Sequence, residues 1–446
     1  MTAAIIGGGV AGLTAAYELV RAGERPILIE PGRIGGMIQS ISSDGFTLEA
    51  GPNVLVERAE MRELLAELGL ASAARYPIIK KYGQYVWYNE RPVKVPAGIG
   101  EFLACPLFSV IAKILLPFKM LIPGVLPGRG DDISVEEFFA PLLGVRAARH
   151  LIDPVLKGIY GGNVEDLSAR SLFSGLWGAA RQRSSVLGYL MGRRGRGKPP
   201  IIVLQGGIQS LVDRLWEVVG AHVELVTARA ERLTPVDGGR FRVSLSDGRH
   251  LEVDGCIITS SGRSAASLCY FLDEELSSAL GVARYAGLQV AHLSVAQSEQ
   301  LIPGAFGVLF PRGMPINLLG CMFNSQIFPH VAPADRHLVT VVLGGAQAVG
   351  SLASREVVRG ELPELLRQLL GIRAVEWLHF CEWPEAIPQL SVGHHKLVEG
   401  LDRLEQEHPG IVIASVDRGG IGVSDRIRLA QDAVKRFRRV RVETVV

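Results

Sequence analysis

Three glycines and one acid near the N-terminus have the types and the spacing to bind a dinucleotide. The stretch AAIIGGGVAGLTAAYEL sets Gly7, Gly9 and Gly12 in a G-x-G-x-x-G pattern between an apolar run and a helical repeat. Such glycines allow a tight turn, a close backbone approach to a pyrophosphate and close packing of helix on strand. Glu30 follows about 20 residues later, where an acid can bind ribose hydroxyls. We predict a Rossmann-type site, and a turn without a ligand is the alternative.

A second strand, turn and helix pattern closes the chain. Residues 410–414 form a short apolar run, a glycine-rich turn follows, and residues 426–438 have helical periodicity. Because the N-terminus of a helix presents free backbone N–H groups to a ligand, the turn is a candidate for a second contact with the dinucleotide. Its candidate residues are Gly420, Gly422 and Val423.

Hydrophobic patterning predicts the elements that position these two turns. Helical periodicity indicates helices at 61–70 and 357–370, and Ser134 with Glu137 forms a capping box that opens another helix. Strands are expected at 26–29, 84–93 as a hairpin, 223–233, 241–245 and 250–259, with Asp-Gly turns in the later group. Residues 201–215 form a further strand, turn and helix. Between 287 and 343 the alternation predicts an antiparallel sheet that carries the substrate site.

The most apolar stretch is 102–127, FLACPLFSVIAKILLPFKMLIPGVLP. Lys113, Lys119 and several prolines interrupt it, so it lacks the ~20 unbroken apolar residues that a membrane-spanning helix needs. We expect two short helices that lie in the headgroup layer of a membrane, with the ammonium groups reaching the lipid phosphates. Helices buried in a core are the alternative, but the mean hydropathy of +0.25 favours membrane contact.

Composition limits the remaining function classes. The chain has 446 residues, enough for about two or three domains. A net charge of +2 is too small to indicate nucleic-acid binding. The five cysteines are scattered and lack a C-x-x-C pair, so we expect neither disulfides nor a metal site, and a reducing cytoplasm fits. Because the first strand begins almost at the N-terminus, we expect no signal peptide.

Two further segments indicate which dinucleotide is bound. EPGRIGGMIQS, with Arg33, Gly35 and Gly36, resembles the segment that follows the ribose-binding acid in flavoprotein oxidases of the amine oxidase and protoporphyrinogen oxidase superfamily. FTLEAGPNVL, with Gly51 and Pro52, resembles the next flavin-proximal turn of these enzymes. The resemblance implies that the cofactor is FAD. Arg33 alone could equally be a solvated surface charge.

The resemblance to the protoporphyrinogen oxidase family extends, in the same order, over nearly the whole chain. Its segments are LKGIYGGNVEDLSARSLF, SSVLGYLMG, LQGGIQSL, GAFGVLFP, LLGCMFNSQIFP, TVVLGG, WPEAIPQLSVGH and GGIGVSDRI. It implies an α/β fold with three domains. These are a Rossmann-type FAD-binding domain (1–75, 200–263 and 392–446), a mixed-sheet substrate-binding domain (76–91 and 264–391) and a helical membrane-binding domain (92–199).

The resemblance also implies site residues. The cofactor-binding set is Gly7, Gly9, Gly12, Glu30, Arg33, Gly35, Gly36, Gly51, Pro52, Ala230, Gly420, Gly422 and Val423. The substrate-binding set is Asn53, Gly161, Phe306 and Leu309, of which the last two could instead be ordinary sheet-core residues. Animal and plant members typically carry an arginine where this chain has Asn53, and an amide cannot pair the charge of a substrate carboxylate.

The implied activity is oxidation of a porphyrinogen to a porphyrin by hydride transfer to FAD. We name no catalytic acid or base, because the flavin does the hard step. Oxygen, or a respiratory quinone, is the expected acceptor, since the chain lacks a second G-x-G-x-x-G for NADPH. Few cations fall in the expected pocket, which favours protoporphyrinogen IX over coproporphyrinogen III. The enzyme is expected on the cytoplasmic face of the cell membrane, and a homodimer is left open.

Two other functions compete with this one. An amine oxidase is disfavoured because the turn at 419–424 lacks the aromatic residue that those enzymes place around the amine. A non-catalytic protein of the same fold, as in the Rab GDP dissociation inhibitors, has little need of glycine turns at both ends of a cofactor. The adjacent pair His394 and His395 is expected to have a structural role at a strand end, because adjacent strand residues face opposite sides.

Overall fold

The computed structural model describes residues 2–79, 82–128, 130–193, 197–348 and 350–445. Its strands are short at both ends of the chain and long between residues 285 and 388. In chain order the strands are β1 (Ala3–Ile6), β2 (Ile27–Ile29), β3 (Ser40–Ser43), β4 (Phe46–Glu49), β5 (Leu55–Val56), β6 (Ala74–Arg75), β7 (Gly83–Tyr88), β8 (Arg91–Lys94), β9 (Ile201–Leu204), β10 (Glu224–Val226), β11 (Ala230–Val236), β12 (Arg240–Leu245), β13 (His250–Val253), β14 (Gly255–Ile258), β15 (Tyr285–Ala296), β16 (Ala305–Leu309), β17 (Leu318–Met322), β18 (Arg336–Gly345), β19 (Glu376–Pro388) and β20 (Ile411–Ile413).

Helices pack on both sides of these sheets and fill the middle of the chain. In chain order they are α1 (Val10–Arg21), α2 (Ala59–Glu67), α3 (Ile99–Ala104), α4 (Val110–Leu121), α5 (Val135–Leu143), α6 (Val145–Ala147), α7 (Asp153–Tyr160), α8 (Ala169–Leu172), α9 (Ser174–Arg181), α10 (Val186–Met191), α11 (Gln209–Val219), α12 (Gly262–Cys269), α13 (Glu274–Gly281), α14 (Asn324–Ile327), α15 (Arg355–Leu370), α16 (His394–Glu407) and α17 (Val423–Val445). Within the described ranges, no helix combines the length and the apolar composition that crossing a bilayer requires.

A five-stranded parallel sheet carries the N-terminal glycine turn. The strand order is β10-β2-β1-β14-β20, and β1 lies at its centre with Ile5 between Leu28 and Ile257. All four residues of β1 are buried, which explains its unbroken apolar sequence, since parallel strands are covered on both faces. Helices α1, α11 and α17 contribute to the core on one face. The predicted Rossmann-type sheet is confirmed.

A seven-stranded sheet combines five strands from the second half of the chain with the hairpin β7–β8, in the order β19-β15-β18-β17-β16-β7-β8. The antiparallel sheet predicted between 287 and 343 is present, but β16 also pairs in parallel with β7, so the whole sheet is mixed. The predicted hairpin β7–β8 turns at Asn89 and Glu90, both with positive φ. Helix α15 packs on one face of this sheet.

Helices α3 to α10 form the helical region, and α5 begins with the predicted capping box of Ser134 and Glu137. The two short helices predicted within 102–127 are present as α3 and α4, although α3 begins at Ile99. Helix α4 has no fully buried residue, but Leu116 and Met120 pack against the core of the helical region, so one face of α4 contacts protein and the other is exposed. Phe108, just before α4, is buried against Phe102 at 4.8 Å between ring centroids.

The histidine pair is placed differently from the prediction. His394 and His395 are the first residues of α16, not the end of a strand, because Gly393 adopts a left-handed conformation and starts the helix. The structure therefore confirms a mixed α/β fold with parallel and antiparallel sheets. The three domain boundaries and the membrane role of the helical region stay predictions.

Candidate functional site

The N-terminal turn leaves room for a ligand at one glycine and none at another. A Cβ atom on Gly12 would lie 1.8 Å from the carbonyl oxygen of Gly7, so helix and strand can pack only with glycine at this position. Gly7 itself has a φ of +110°, which favours glycine. A Cβ atom on Gly9 would meet nothing within 4 Å. The open space at Gly9 is where a pyrophosphate would approach the backbone.

Glu30 lies beside this turn and binds backbone N–H groups. Its Oε2 accepts a hydrogen bond from the N–H of Gly8 at 2.7 Å, and its Oε1 accepts one from Gly32 at 2.8 Å. These bonds fix the carboxylate at the end of β2. Each oxygen keeps a further lone pair that could accept a hydrogen bond from a ribose hydroxyl.

The segment after Glu30 folds back onto the glycine turn. Gly35 donates its N–H to the carbonyl oxygen of Gly8 at 2.8 Å, and a β-bridge joins Gly9 to Gly35. Gly36 lies next to Gly9, because its added Cβ would be 3.4 Å from the Cα of Gly9. Arg33 is exposed and donates from Nη1 to the carbonyl oxygen of Ile38 at 3.1 Å. The structure thus brings the predicted N-terminal residues together.

The turn at Gly51 is held tightly from two sides. A Cβ atom on Gly51 would lie 2.0 Å from the carbonyl oxygen of Met37, so the two segments are in backbone contact. On the other side, Trp383 Nε1 donates to the carbonyl oxygen of Ala50 at 2.7 Å. The imidazole of His292 forms a bond of 3.0 Å between its Nε2 and the carbonyl oxygen of Glu49. The seven-stranded sheet therefore anchors the turn that contains Gly51 and Pro52.

Burial shifts the pKa values of two side chains beside this turn, Glu49 and His292. Glu49 accepts hydrogen bonds from Ser40 Oγ at 2.6 Å and from the N–H of Ile208 at 2.8 Å. Burial raises the pKa of Glu49 to about 7, although these two bonds oppose the shift. Burial, followed by the nearby His379, lowers the pKa of His292 to about 4, so this imidazole is neutral at physiological pH.

A small cavity of about 10 Å³, with both polar and apolar lining residues, lies next to Asn53. Asn324 donates from Nδ2 to Oδ1 of Asn53 at 3.4 Å, and the Oδ1 of Asn324 is buried without a hydrogen-bond partner in the described structure. The buried hydroxyl of Thr340 also lacks a partner there. The lining residues are Thr47, Glu49, Asn53, Val203, Leu204, Asn324, Phe328, Val331, Leu338 and Thr340. A cavity of this size has room for about one water molecule, which these unsatisfied groups can bind.

The C-terminal turn closes on the same region. Gly420 has a φ of +73°, and α17 starts three residues later at Val423. The hydroxyl of Ser424 donates to the carbonyl oxygen of Val56, and Arg58 pairs with Asp425. Both contacts tie the turn that contains Gly420 and Gly422 to the chain segment just after Asn53.

Ala230 is the first residue of β11 and is buried. It belongs to the same core cluster as Ile29, the residue before Glu30. The segment before β11 bonds to the end of β2, because the N–H of Glu30 donates to the carbonyl oxygen of Val226 at 3.1 Å. A role for Ala230 in cofactor binding stays a prediction.

Phe306 and Leu309 occupy one strand, β16, but different side-chain clusters. A bulge between Ala305 and Gly307 resets the alternation, so that Ala305 and Val308 face the core under α15 while Phe306 and Leu309 do not. Phe306 packs near Phe328 and lies 5.6 Å from the ring of Tyr82. Leu309 instead packs toward the helical region. The structure does not bring the two side chains into one cluster.

Gly161 joins the helical region to the seven-stranded sheet. It ends α7 with a φ of +66°, and an added Cβ would lie 2.8 Å from the Cβ of Ala286. The preceding Tyr160 is close enough to Asp425 for that carboxylate to raise the pKa of its phenol, after the larger effect of burial. Gly161 therefore packs against the seven-stranded sheet, and its carbonyl oxygen accepts a hydrogen bond from the N–H of Ala346 at 2.7 Å.

Comparison with known proteins identifies the family. Residues 10–417 match the family described as flavin containing amine oxidoreductase. The chain belongs to this family. It is an FAD-dependent oxidase, as predicted.

Named relatives narrow the relationship within the family. The chain is similar to coproporphyrinogen III oxidase of Bacillus subtilis (strain 168), with 26% identity over 96% of this chain and 96% of the relative. It is 28% identical to protoporphyrinogen oxidase 2, chloroplastic/mitochondrial, of Arabidopsis thaliana, over 95% and 91% of the two chains. It is 29% identical to protoporphyrinogen oxidase of Bos taurus, over 98% of each chain. It is an oxidoreductase related to porphyrinogen oxidases.

Solved structures share the fold. A protein from Exiguobacterium sp. 255-15, assigned as a protoporphyrinogen oxidase, superposes with a TM-score of 0.81 at 23% identity, covering 97% of this chain and 98% of that one. A UDP-galactopyranose mutase superposes with a TM-score of 0.71 at 15% identity, covering 98% of each. At these identities the likeness shows the fold alone.

The residues present fit FAD. The open space at Gly9, the carboxylate of Glu30 and the helix N-terminus at Val423 can accept its pyrophosphate, ribose and flavin ends respectively. The described residues include no group of three or more histidine, cysteine, aspartate or glutamate side chains placed to hold a metal ion.

Sequence reasoning missed several residues of this region. Thr259 donates from Oγ1 to the carbonyl oxygens of Ile6 and Gly7 at 3.0 Å, yet a lone threonine after a strand has no distinctive pattern. The side chains of Trp383 on β19 and His292 on β15 contact the Gly51 turn, but both strands are distant from it in sequence, so no local pattern indicates these contacts. Asn324 lies within LLGCMFNSQIFP and interrupts an apolar run, which was the available indication.

Proposed function

We propose that the chain oxidises protoporphyrinogen IX to protoporphyrin IX, with molecular oxygen as the electron acceptor. The observation that supports this most is the polar but uncharged wall formed by Asn53, Asn324 and Thr340 next to the anchored Gly51 turn. The recess there measures only about 10 Å³, so a substituent of the substrate would contact this wall without entering it. The related porphyrinogen oxidases support the substrate class.

The protein supplies position and a dry, weakly basic environment for this reaction. FAD, when bound, accepts a hydride from a meso carbon of the macrocycle, and the resulting cation spreads into the adjacent pyrrole nitrogens. Phe306 and Gly161 would bound the macrocycle, and Asn53 with Asn324 would orient one substituent by hydrogen bonding. The neutral His292 supports the turn, and Glu49, whose pKa burial raises to about 7, is the titratable side chain among the lining residues of the cavity. Each two-electron step reduces one molecule of oxygen to hydrogen peroxide.

The two candidate substrates differ in the number of carboxylates that the protein must accommodate. Protoporphyrinogen IX has two propionates and two vinyl groups, whereas coproporphyrinogen III has four propionates. Of the described residues that line the cavity, none is a lysine or an arginine. An unpaired buried carboxylate costs several kcal/mol, so a recess of this composition suits the substrate with fewer carboxylates. Coproporphyrinogen III is the second candidate, since the Bacillus subtilis relative bears that name and matches over 96% of both chains.

The test is reduction of the bound FAD under anaerobic conditions by each porphyrinogen in turn. We expect faster loss of the flavin absorbance with protoporphyrinogen IX, then porphyrin fluorescence and hydrogen peroxide after oxygen is admitted. The variant Asn53→Arg adds a cation and should shift the preference toward coproporphyrinogen III by about tenfold, since an ion pair in such a site is worth more than about 1.4 kcal/mol. Asn53→Gln is the neutral control.

Two results would overturn this proposal at different levels. Faster reduction of the wild-type flavin by coproporphyrinogen III would reverse the choice of substrate. No reduction by either porphyrinogen, in protein that carries FAD, would remove the substrate class and leave an FAD oxidase of another specificity. Reoxidation by a quinone but not by oxygen would replace the acceptor.

We further propose that α4 attaches the protein to the cytoplasmic face of the cell membrane. Ile111, Ile114, Leu115 and Phe118 repeat at helical spacing along one face, and between 44% and 69% of their surface is exposed. Lys119 lies at the edge of this face, where an ammonium group can reach lipid phosphates, although it also donates to the carbonyl oxygen of Pro141 at 2.8 Å. Lys113, two residues after Ile111, lies on the opposite side of α4.

A further inference from the structure

Arg426 is a buried cation at the C-terminal turn with two unpartnered nitrogens. It lies in the first turn of α17, and only 9% of its surface is exposed. Its Nη2 donates to the carbonyl oxygens of Gly419, at 2.5 Å, and Gly420. Its Nε and Nη1 are buried and have no hydrogen-bond partner in the part of the chain that the structure describes.

This arrangement is costly without a ligand. Burial lowers the pKa of Arg426 to about 10, so the guanidinium is still charged at neutral pH. A buried charge with free N–H groups is destabilising by several kcal/mol unless an acceptor reaches it. The neighbouring carboxylates already have partners, since Asp417 accepts from the hydroxyl of Tyr285 at 2.8 Å and Asp425 pairs with Arg58.

The bonds made by Nη2 also orient the turn. In a trans peptide the C=O and the N–H point in opposite directions. Because Arg426 binds the carbonyl oxygens of Gly419 and Gly420, the N–H groups of Gly420 and Ile421 point away from the guanidinium. These two donors are thereby presented on the other side of the turn.

Positive potential accumulates at this point from two sources. The N-terminus of α17 carries the positive end of a long helix dipole, and the guanidinium adds a full charge within the first turn. A ligand that suits the turn must therefore have hydrogen-bond acceptors and must tolerate or gain negative charge. The flavin end of FAD has these properties, since it gains electrons when reduced.

We propose that Arg426 is a positioning residue for the flavin end of FAD, which fixes the Gly419–Gly420 turn and supplies a positive potential that makes the bound cofactor easier to reduce. The proposal rests on FAD binding and does not depend on the identity of the substrate. It assigns a role to a buried charge that the glycine pattern does not explain.

The test compares the midpoint potential of bound FAD in wild type, Arg426→Met and Arg426→Lys by equilibration with a reference dye. We expect Arg426→Met to lower the equilibrium constant for two-electron reduction about tenfold, which is about 30 mV. Arg426→Lys retains the charge and should keep the potential closer to that of wild type, but it cannot hold both carbonyl oxygens in the same way and should weaken FAD binding. Arg428→Met, on the same helix with 41% of its side chain exposed, is the matched control and should change neither.

The outcomes separate electrostatics from a merely structural role. If Arg426→Met lowers the thermal unfolding temperature but leaves the potential as in the Arg428→Met control, the proposal is overturned. If Arg426→Met does not retain FAD, the Arg426→Lys variant is measured instead. Because lysine retains the charge, a midpoint potential of Arg426→Lys about 30 mV below that of wild type would reject the role of charge. A midpoint potential equal to that of wild type in both Arg426→Met and Arg426→Lys would also reject the role of charge.

Discussion

The indole Nε1 of Trp383 donates a hydrogen bond of 2.7 Å to the carbonyl oxygen of Ala50. The thiol of Cys381 lies 3.4 Å from the same oxygen, and His292 binds the preceding carbonyl of Glu49 at 3.0 Å. Three side chains from β15 and β19 thus hold the backbone of one turn. Since Gly51 follows directly and touches Met37, the seven-stranded sheet sets the position of a segment predicted to contact FAD.

Replacing Trp383 by Phe should therefore weaken FAD binding without unfolding the protein. The substitution removes one hydrogen bond, worth about 0.5–1.5 kcal/mol, and keeps most of the aromatic packing. We expect an FAD dissociation constant about threefold to tenfold higher, measured by flavin fluorescence. Trp377→Phe, the same change on the same strand where the ring packs against Phe380, is the control. Equal FAD affinity in the two variants would contradict the anchoring role.

Two glycines of the N-terminal turn should respond differently to the same substitution. Gly9→Ala adds a methyl group that meets no protein atom within 4 Å, whereas Gly12→Ala puts it 1.8 Å from the carbonyl oxygen of Gly7. We expect Gly9→Ala to fold normally and to lose FAD affinity by tenfold or more. Gly12→Ala should destabilise the apoprotein itself by about 1–3 kcal/mol, as overpacking does.

Thermal unfolding of the two apoproteins, followed by FAD titration, distinguishes these cases. An apoprotein of Gly9→Ala that unfolds as early as that of Gly12→Ala would mean that the space at Gly9 is not open. Unchanged FAD affinity in Gly9→Ala would mean that no ligand atom approaches there.

Glu49 should make stability depend on pH. Its folded pKa of about 7 lies above the ordinary value of 4.5, so the folded protein binds the proton more tightly than the unfolded chain does. This contribution is fully present below about pH 4.5 and is lost as the pH rises to about 7. At 1.36 kcal/mol per pH unit, the loss is at most about 3 kcal/mol.

The measurement is the difference in unfolding temperature between wild type and Glu49→Gln at pH 5, 6, 7 and 8. The amide does not titrate, so wild type should lose stability relative to the variant between pH 5 and 7, and the difference should then level off. A difference that is constant across the whole range would show that Glu49 is ionised throughout.

The sequence could predict those structural features that are determined by a pattern within a few residues. The Gly7–Gly12 turn and the Ser134 capping box were predictable because their causes lie within a few residues. The separation of Phe306 and Leu309 into different side-chain clusters was not, because it depends on how β16 pairs with β7 and β17. The burial of Arg426 was hidden for the same reason, since arginine in a helix normally faces solvent.

The apolar stretch 102–127 shows the same limit within one segment. Its composition does not distinguish Phe108, which is buried, from Phe118, which is 62% exposed. Tertiary packing decides which apolar side chains remain at the surface. Phe108 is therefore a poor choice for testing membrane contact, because a charge there would disturb the core cluster that contains it.

The membrane proposal predicts that Ile111→Asp with Phe118→Asp releases the protein from lipid vesicles and leaves FAD bound. Each exposed apolar side chain contributes about 1.5–3 kcal/mol when it is buried, so losing two should weaken binding at least a hundredfold. Sedimentation with vesicles that contain anionic lipid measures the binding, and flavin absorbance measures FAD retention.

Val282→Asp is the control for this experiment, because Val282 is 77% exposed but lies after α13, outside the helical region. It should bind vesicles as wild type does. If the double variant sediments with vesicles as wild type does, α4 is not the contact surface. If wild type does not bind vesicles at all, the exposed face of α4 must be covered by something other than lipid, and the peripheral location on the cell membrane is wrong.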